Sequence, residues 1–459
     1  MELKGRLIEN SYCSENLKYG MNSTYTLYIP KFAEGKENLA LIVDHDGDNK
    51  AAREAMELSF IKGTMPASVF IGINSGNVKA TLEGGFDRGM RCDNYDIFGN
   101  RYPDFLCDEI LPHIIEKYNL KISASPDMHM IMGGSSGGIS AFNAAWFRTD
   151  YFRRVYMSSP SFLSMNNGLE ITALIRKFET KPIRVWSEFS ENEPDDYFGS
   201  SFTVSDAAHR ALKFANYDCN LRYYPDEGHC SRYNHVYTLM EVFEFIWKDY
   251  ETPITPNANS PRFDKVFTKG EAWQKIDSFE FSSKKEIFIK GNGFTYTVCG
   301  NKIYKVKDGE KSEAYTFKNN IDAIALSKDG WKLYIAGKNL PCVYTLSILD
   351  NGELKGELIH SHIHRHTDFL FAGASDIAID NHDRLFAATE IGIQAIRAWG
   401  LSDAIAPLPE NLIPKNIEVL TEENKSFIVV GTEKGIYKRE IEVYGELPEN
   451  FPYPNSYYD

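Results

Sequence analysis

Two hydrophobic patterns divide the chain. In the first half, short apolar runs such as 38–43 (NLALIV) and 68–73 (SVFIGI) alternate with longer amphipathic stretches. Short apolar runs are typical of strands buried on both faces, and their alternation with helices indicates a parallel sheet. We therefore predict an α/β fold with a doubly wound, mainly parallel sheet. The predicted strands are 23–30, 38–43, 68–73, 128–132, 182–189 and 220–224, and the predicted helices are 51–60, 105–118 (interrupted by Pro112), 137–147, 205–215 and 236–250.

The second half loses the helical periodicity. Residues 251–263 are rich in Pro, Asn, Ser and Thr and are typical of a linker. Segments 321–336 and 375–389 both have the form strand, polar turn, strand, with weaker copies at 294–306 and 416–437. A repeat of about 45 residues with several strands indicates propeller blades, of which about four are recognisable; a sandwich is the alternative.

These patterns predict three parts: an α/β domain at 1–250, the linker at 251–263, and an all-β propeller-like domain at 264–459.

Composition narrows the partners and the compartment. The 459 residues carry a formal net charge of −14, which repels phosphate backbones, so we expect no nucleic-acid partner. The seven cysteines contain no CxxC pair, and widely spaced thiols indicate a reducing compartment. No secretory signal and no apolar run of about 18 residues is visible, so we predict a cytoplasmic protein without a membrane partner. A chain from which a signal had been removed would look the same.

The segment 128–138 (MHMIMGGSSGG) carries the strongest chemical signal. Its residues Gly134–Gly138 match G-x-S-x-G, placed between a predicted strand and a predicted helix. This pattern predicts Ser136 as a nucleophile in a strained turn, with the Gly137 amide as an oxyanion donor. Ser135 is the neighbouring hydroxyl and a candidate substrate contact. A glycine-rich turn that only allows close packing is the alternative.

A serine nucleophile needs a base and an acid, which follow it in the chain in this fold. His229 lies in the loop between the last predicted strand and helix, whereas His113, His209 and His235 lie in or beside helices. The acidic loop 190–196 follows strand 182–189, and its position favours Glu193 as the acid, with Asp195 second.

A second oxyanion donor is expected in the loop that follows strand 38–43. The backbone amides of Asp46 and Gly47 are the candidates, and a simple Asp-Gly turn is the alternative.

Together these residues resemble the esterase-D and enterochelin-esterase-like α/β-hydrolases, which include the feruloyl esterases of carbohydrate esterase family one. The resemblance covers about residues 10–250 and rests on Asp46-Gly47, 91–112, Gly133–Gly138 and Glu227-Gly-His229. It implies hydrolysis of a small-molecule ester, such as an acylated sugar, through an acyl-serine and without metal or cofactor. It also implies that Arg91 lines the substrate pocket, although Asn94 stands where relatives carry Glu.

The second half is similar to gluconolactonase and regucalcin-type propellers. Those proteins hold a divalent metal with acidic and amide side chains at blade starts. This chain has Ser282-Ser283, Asp322 and Ser375 at the corresponding places. The resemblance with these departures implies an accessory role, such as shaping or covering the esterase site, and no lactonase activity.

Four histidines, His360, His362, His364 and His366, stand at every second residue. On one extended strand they would share a face and could bind Zn²⁺ or Ni²⁺, but a solvated segment is the favoured interpretation.

Two other functions compete with the esterase. One is a binding protein that keeps a hydrolase scaffold without catalysis. The other is a peptidase of the prolyl-oligopeptidase type, in which the propeller precedes the hydrolase, the reverse of the order here. The presence of Ser136, His229 and the acidic loop favours catalysis.

Overall fold

The computed structural model describes residues 3–16, 20–163, 165–166 and 168–442. The chain forms two compact units. The first comprises the residues up to Arg176 with Thr180–Ala258, and the second comprises Lys177–Glu179 with the residues from Asn259 onward. Within the described ranges, the helices are too short or too polar to cross a membrane.

The first unit is built on a ten-stranded sheet. Its central strands β4-β3-β7-β8-β9-β12 are all parallel, and β2 joins β4 antiparallel and pairs with β1 and β5. The strands are β1 (Gly5–Cys13), β2 (Met21–Pro30), β3 (Ala40–His45), β4 (Ser68–Ile73), β5 (Asn77–Val78), β6 (Arg88–Gly89), β7 (His129–Gly134), β8 (Arg154–Ser158), β9 (Arg184–Asn192), the separate hairpin β10 (Asp195–Asp196) and β11 (Gly199–Ser200), and β12 (Asp218–Gly228). The predicted doubly wound, mainly parallel sheet is confirmed.

Helices connect and cover these strands. They are α1 (Lys50–Lys62), α2 (Arg91–Tyr95), α3 (Arg101–Asp104), α4 (Leu111–Lys117), α5 (Ser136–Phe147), α6 (Gly168–Lys177), α7 (Ser201–Phe214) and α8 (Val236–Ile246). The predicted helix 105–118 is instead a π-helical segment, Phe105–Ile110, that leads into α4. Pro112 falls in the first turn of α4, where its missing N–H costs little.

The core explains why the apolar runs form the central strands. Ala40 and Ile42 of β3 face a cluster that includes Met56 of α1 and Phe243 of α8, all buried. Helix α5 packs on β7 and β8, and helices α2 and α3 contact α5. The glycine-rich turn between β7 and α5 therefore lies near the centre of the sheet.

Strand β8 and helix α6 were not predicted. Strand β8 begins with Arg154, a charged side chain that is fully buried, so its sequence does not read as an apolar run. The guanidinium donates from Nε to the carbonyl of Asp127 at 2.5 Å and from Nη1 to the carbonyl of Ile246. Distant backbone carbonyls thus accept bonds from a charged side chain that the pattern alone places outside a core.

The second unit consists of four four-stranded antiparallel sheets in the described residues. The strands are β13 (Gln274–Ile276), β14 (Glu286–Ile289), β15 (Phe294–Cys299), β16 (Lys302–Lys307), β17 (Glu310–Thr316), β18 (Ala323–Leu326), β19 (Lys332–Ala336), β20 (Cys342–Ile348), β21 (Leu354–His362), β22 (Ala374–Ile379), β23 (Leu385–Thr389), β24 (Gly392–Ile396), β25 (Ser402–Ala406), β26 (Asn416–Glu422), β27 (Lys425–Thr432) and β28 (Gly435–Ile441).

The first strands of neighbouring sheets, β14, β18, β22 and β26, contact one another in turn. Strand β13, from the start of the unit, pairs with β28 of the last sheet and so ties the two ends of the unit together. The propeller-like arrangement with about four blades is confirmed, and the sandwich alternative is wrong.

The histidine row does not share one strand, so the less favoured alternative, a metal site on one strand face, is wrong. Strand β21 ends at His362, and His364 and His366 follow it. His360 contacts the ring of Tyr334, and burial lowers its pKa to about 4. Within the described residues, no group of three or more His, Cys, Asp or Glu side chains is placed to hold a metal ion.

Candidate active site

The turn between β7 and α5 is strained at one residue. Ser135 has φ 56° and ψ −124°, a left-handed conformation that side chains rarely adopt, and it precedes α5 as its N-cap residue. Ser136 is already helical. The prediction of the strained residue at Ser136 is wrong in this detail: the strain falls on Ser135, the central residue of Gly133–Gly137, which also matches G-x-S-x-G.

The glycines agree with this register. A Cβ at Gly133 would collide with the backbone carbonyl of Gly137, and a Cβ at Gly137 would lie 3.1 Å from the Cβ of His45. Gly134 and Gly138 are restricted about as much as Gly137, since their nearest contacts would be 3.2 Å away, at Cys230 Sγ and at the carbonyl of Gly133, so Gly133 alone stands apart. The severest restriction therefore falls two residues before Ser135.

The two serines have different surroundings. The Ser135 side chain is half-buried, and its Oγ lies 3.0 Å from the Oγ of Ser161. Ser136 is only 4% exposed, and its hydroxyl lowers the pKa of the buried Asp96, the residue that follows α2. Ser135 is therefore the more accessible hydroxyl at the carboxyl edge of the sheet.

The predicted base and acid lie together. His229 Nδ1 is 2.5 Å from Glu193 Oε2. The other oxygen of Glu193 accepts from the Ser159 hydroxyl at 2.5 Å and from the Ser190 amide at 3.0 Å. Burial alone would raise the pKa of Glu193, but the hydrogen bonds from His229, Ser159 and Ser190 outweigh it and lower that pKa. Glu193 is thus held as a carboxylate that orients the imidazole.

Asp195, the second candidate acid, is exposed in the hairpin formed by β10 and β11.

The His229 loop is fastened by its next residue. The Cys230 amide donates to the Ser159 hydroxyl at 2.9 Å, which connects this loop to the acid. Hydrogen bonding to Cys230 and then to Glu193 raises the pKa of His229 to about 10, against the effect of burial. In the hydrogen bond with Cys230, the imidazole N–H is the donor and the sulfur is the acceptor. Both contacts stabilise the imidazolium, the form that a general base becomes during catalysis.

The loop after β3 lies beside the start of α5. A Cβ at Gly137 would be 3.3 Å from Asp46 Oδ2. The Asp46 amide donates to the Tyr95 hydroxyl at 3.3 Å, so this predicted oxyanion donor already has an acceptor. Gly47, the other predicted donor, has φ 98°. The first amides of α5 have no acceptor within the helix, because they precede its first full turn.

Arg91, the predicted substrate contact, begins α2 and binds Asp46 with two nitrogens. Its Nε and Nη2 lie 3.0 and 2.8 Å from the two carboxylate oxygens, and both side chains are about two-fifths exposed. Asp96, which directly follows α2, was not predicted as a site residue. It is buried near Ser136. Its polarity resembled a solvated turn, so the sequence held no signal for it.

The propeller resemblance implies a divalent cation at the blade starts, but the residues at the blade starts of the second unit do not fit one. Lys284 Nζ is 2.7 Å from Glu418, and the Ser282 hydroxyl also donates to that carboxylate. Asp322 accepts from the Lys338 amide at 2.7 Å, and Ser375 donates to the carbonyls of Ala388 and Pro414. Ammonium and hydroxyl donors occupy the places where a cation needs oxygen acceptors.

Fold and site together define an α/β-hydrolase of the esterase type. A sequence family described as "Putative esterase" matches residues 18–281, which is more than half of the chain, and the chain belongs to it. Membership supports ester hydrolysis. Among curated proteins, none matches the chain.

Several solved structures are similar to the first unit. A ferulic acid esterase is 17% identical, with a TM-score of 0.41 over 54% of this chain and 99% of that one. An enterochelin esterase from Shigella flexneri is 18% identical, with a TM-score of 0.41 over 55% and 60%. An S-formylglutathione hydrolase from Agrobacterium tumefaciens is 15% identical, with a TM-score of 0.40 over 56% and 98%. At these values the likenesses carry no argument about activity.

Proposed function

We propose that this protein is a serine esterase in which Ser135 is the nucleophile, His229 the general base and Glu193 the acid. The strained backbone of Ser135 is the observation that carries the choice of nucleophile, because an elbow of this kind projects its own side chain into the site. The contact between His229 and Glu193 supports the other two roles. Ser136, which the sequence analysis favoured, is the alternative nucleophile.

The reaction proceeds in two halves. The Ser135 hydroxyl attacks the ester carbonyl carbon while its proton passes to Nε2 of His229. The bond from that carbon to the alcohol oxygen then breaks, and His229 returns the proton to the departing alcohol. Water repeats the attack on the acyl-serine, which releases the acid and restores the hydroxyl.

The oxyanion that forms in each half needs two N–H donors. The amide of the residue after the nucleophile, here Ser136, is the first. The second comes from the loop after β3, and Gly47 is the better candidate because the Asp46 amide already bonds to Tyr95.

For the substrate we propose an acyl ester of a sugar or another small alcohol. This follows the resemblance of the first half to feruloyl and enterochelin esterases. The propeller is proposed as a non-catalytic accessory, since its blade starts do not fit a lactonase metal.

Covalent labelling separates the two serines. A fluorophosphonate probe should modify wild type at Ser135, as located by mass spectrometry of the labelled peptide. Ser135→Ala should not be labelled, whereas Ser136→Ala should be labelled at Ser135. Modification of Ser136 instead would support Ser136, the serine predicted from the sequence, as the nucleophile. No labelling of either serine would refute the serine mechanism.

Substrates should then be screened among aryl acetates, aryl butyrates, and feruloylated and acetylated sugars.

A further inference from the structure

Helix α2 ends in a buried carboxyl group that the proposed mechanism does not use. Asp96 follows Tyr95 directly and is only 1% exposed. Helix α2 packs against α5, the helix that begins beside the nucleophile. A carboxyl group in such a position is unusual, because buried acids are retained where they are paired or have a specific task.

Asp96 has no strong partner. Neither of its oxygens makes a hydrogen bond of good geometry with the described residues. Arg91, the nearest cation on α2, turns two nitrogens to Asp46 instead. Burial raises the pKa of Asp96 above its ordinary value, and the charge of Asp46 adds to this rise. The Ser136 hydroxyl, Arg91 and the Cys92 thiol lower the pKa, but they offset the rise only in part.

The Ser136 hydroxyl is the donor that matters for catalysis. Ser136 is the first residue of α5 and follows the proposed nucleophile, so its amide is the first oxyanion donor. Its side chain is nearly excluded from solvent, and its hydroxyl is close enough to Asp96 to lower the pKa of that carboxyl group. Hydrogen bonds at catalytic sites are often long before substrate binds and tighten in the complex.

We propose that Asp96 is a positioning residue: by accepting a hydrogen bond from the Ser136 hydroxyl, it holds the first turn of α5 so that the Ser136 amide points at the oxyanion. The opposite side of this turn is already restrained, since Gly137 lies against His45 and Asp46. Asp96 would supply the restraint on the remaining side. The inference rests on the proposed serine esterase function with Ser135 as nucleophile.

The test compares kcat and KM of Asp96→Ala, Asp96→Asn and Ser136→Ala on an aryl acetate. Removing an oxyanion donor outright costs about 10²–10³ in kcat, so loosening one should cost about 10-fold, with KM little changed. Asp96→Asn keeps an oxygen acceptor and should stay within about twofold of wild type. Asp93→Ala, on the same helix, is the matched control and should be unchanged.

Ser136→Ala should reproduce the loss seen in Asp96→Ala, and the double variant should be no worse than either, because the two residues act as one unit. Active sites are counted by the pre-steady-state burst, so a variant that folds poorly is not mistaken for a slow one. If Asp96→Ala does not fold, Ser136→Ala alone still tests the proposal, because a wild-type kcat in that variant would show that the hydroxyl does not hold the turn.

A wild-type kcat in Asp96→Ala or in Ser136→Ala would overturn the proposal, as would a loss confined to KM or additive losses in the double variant. Failure of the esterase function itself is distinguishable, because wild type would then show no burst and no labelling at Ser135.

Discussion

The strain at Ser135 predicts that neighbouring serines respond oppositely to glycine. At Ser135, an L-residue in a conformation that glycine adopts freely costs about 1–3 kcal/mol. Glycine gives back about 0.5–1 kcal/mol of this through the entropy of its unfolded chain. Ser135→Gly should therefore be more stable than Ser135→Ala by about 1 kcal/mol, although both lack the nucleophile. Ser136 has helical backbone, so Ser136→Gly should be less stable than Ser136→Ala by about 0.5 kcal/mol.

Alanine is the reference at both positions because it removes the hydroxyl without changing the backbone preference of an L-residue. Ser135→Gly and Ser135→Ala both lose the contact with Ser161, so this loss cancels when their stabilities are compared. Differential scanning calorimetry of the four full-length variants would follow the unfolding transition of the first unit. A Ser135→Gly variant no more stable than Ser135→Ala, or the same sign at both positions, would refute the assignment of strain and with it the structural reason for choosing Ser135.

Three other predictions concern the chemistry. Because hydrogen bonding to Cys230 and to Glu193 raises the pKa of His229 to about 10 and the base must be neutral, kcat/KM should rise with pH through a midpoint above the ordinary histidine value of about 6.5. Glu193→Gln should lower both that midpoint and kcat, whereas Asp195→Asn should leave the pH profile unchanged; a profile disturbed by Asp195→Asn and not by Glu193→Gln would exchange the two acids. Turnover of simple aryl esters should persist in EDTA, and hydrolysis of gluconolactone that survives Ser135→Ala would contradict an accessory role for the propeller.

Local patterns were sufficient for much of the architecture. Strands such as β3 and β4 are buried on both faces, so most of their residues are apolar and the apolar run indicates the strand. Strand β8 is also buried on both faces, but it starts with Arg154. The guanidinium of Arg154 donates to the carbonyls of Asp127 and Ile246, which are far away in the chain. No local pattern contains those partners.

The catalytic elements follow the same division. The order of serine, acid and histidine, and the position of each after a strand, can be read from the sequence because chain order and strand ends are local properties. Glu193 was preferred over Asp195 on that basis, and the structure places Glu193 against His229, a contact across 36 residues. Its role in catalysis stays a prediction.

The run Gly133–Gly138 contains two overlapping matches to one motif, and the sequence by itself determined only that a serine in a glycine-rich turn joins β7 to α5. The backbone of the folded turn decides which serine bears the strain: a Cβ at Gly133, two residues before Ser135, would collide with the carbonyl of Gly137, whereas the contacts at Gly134, Gly137 and Gly138 would be no shorter than 3.1 Å. Only the tertiary structure brings Asp96 near Ser136, through the packing of α2 on α5. Contacts between segments distant in the chain depend on how the helices pack on the sheet, and residue types along the chain do not encode that packing locally.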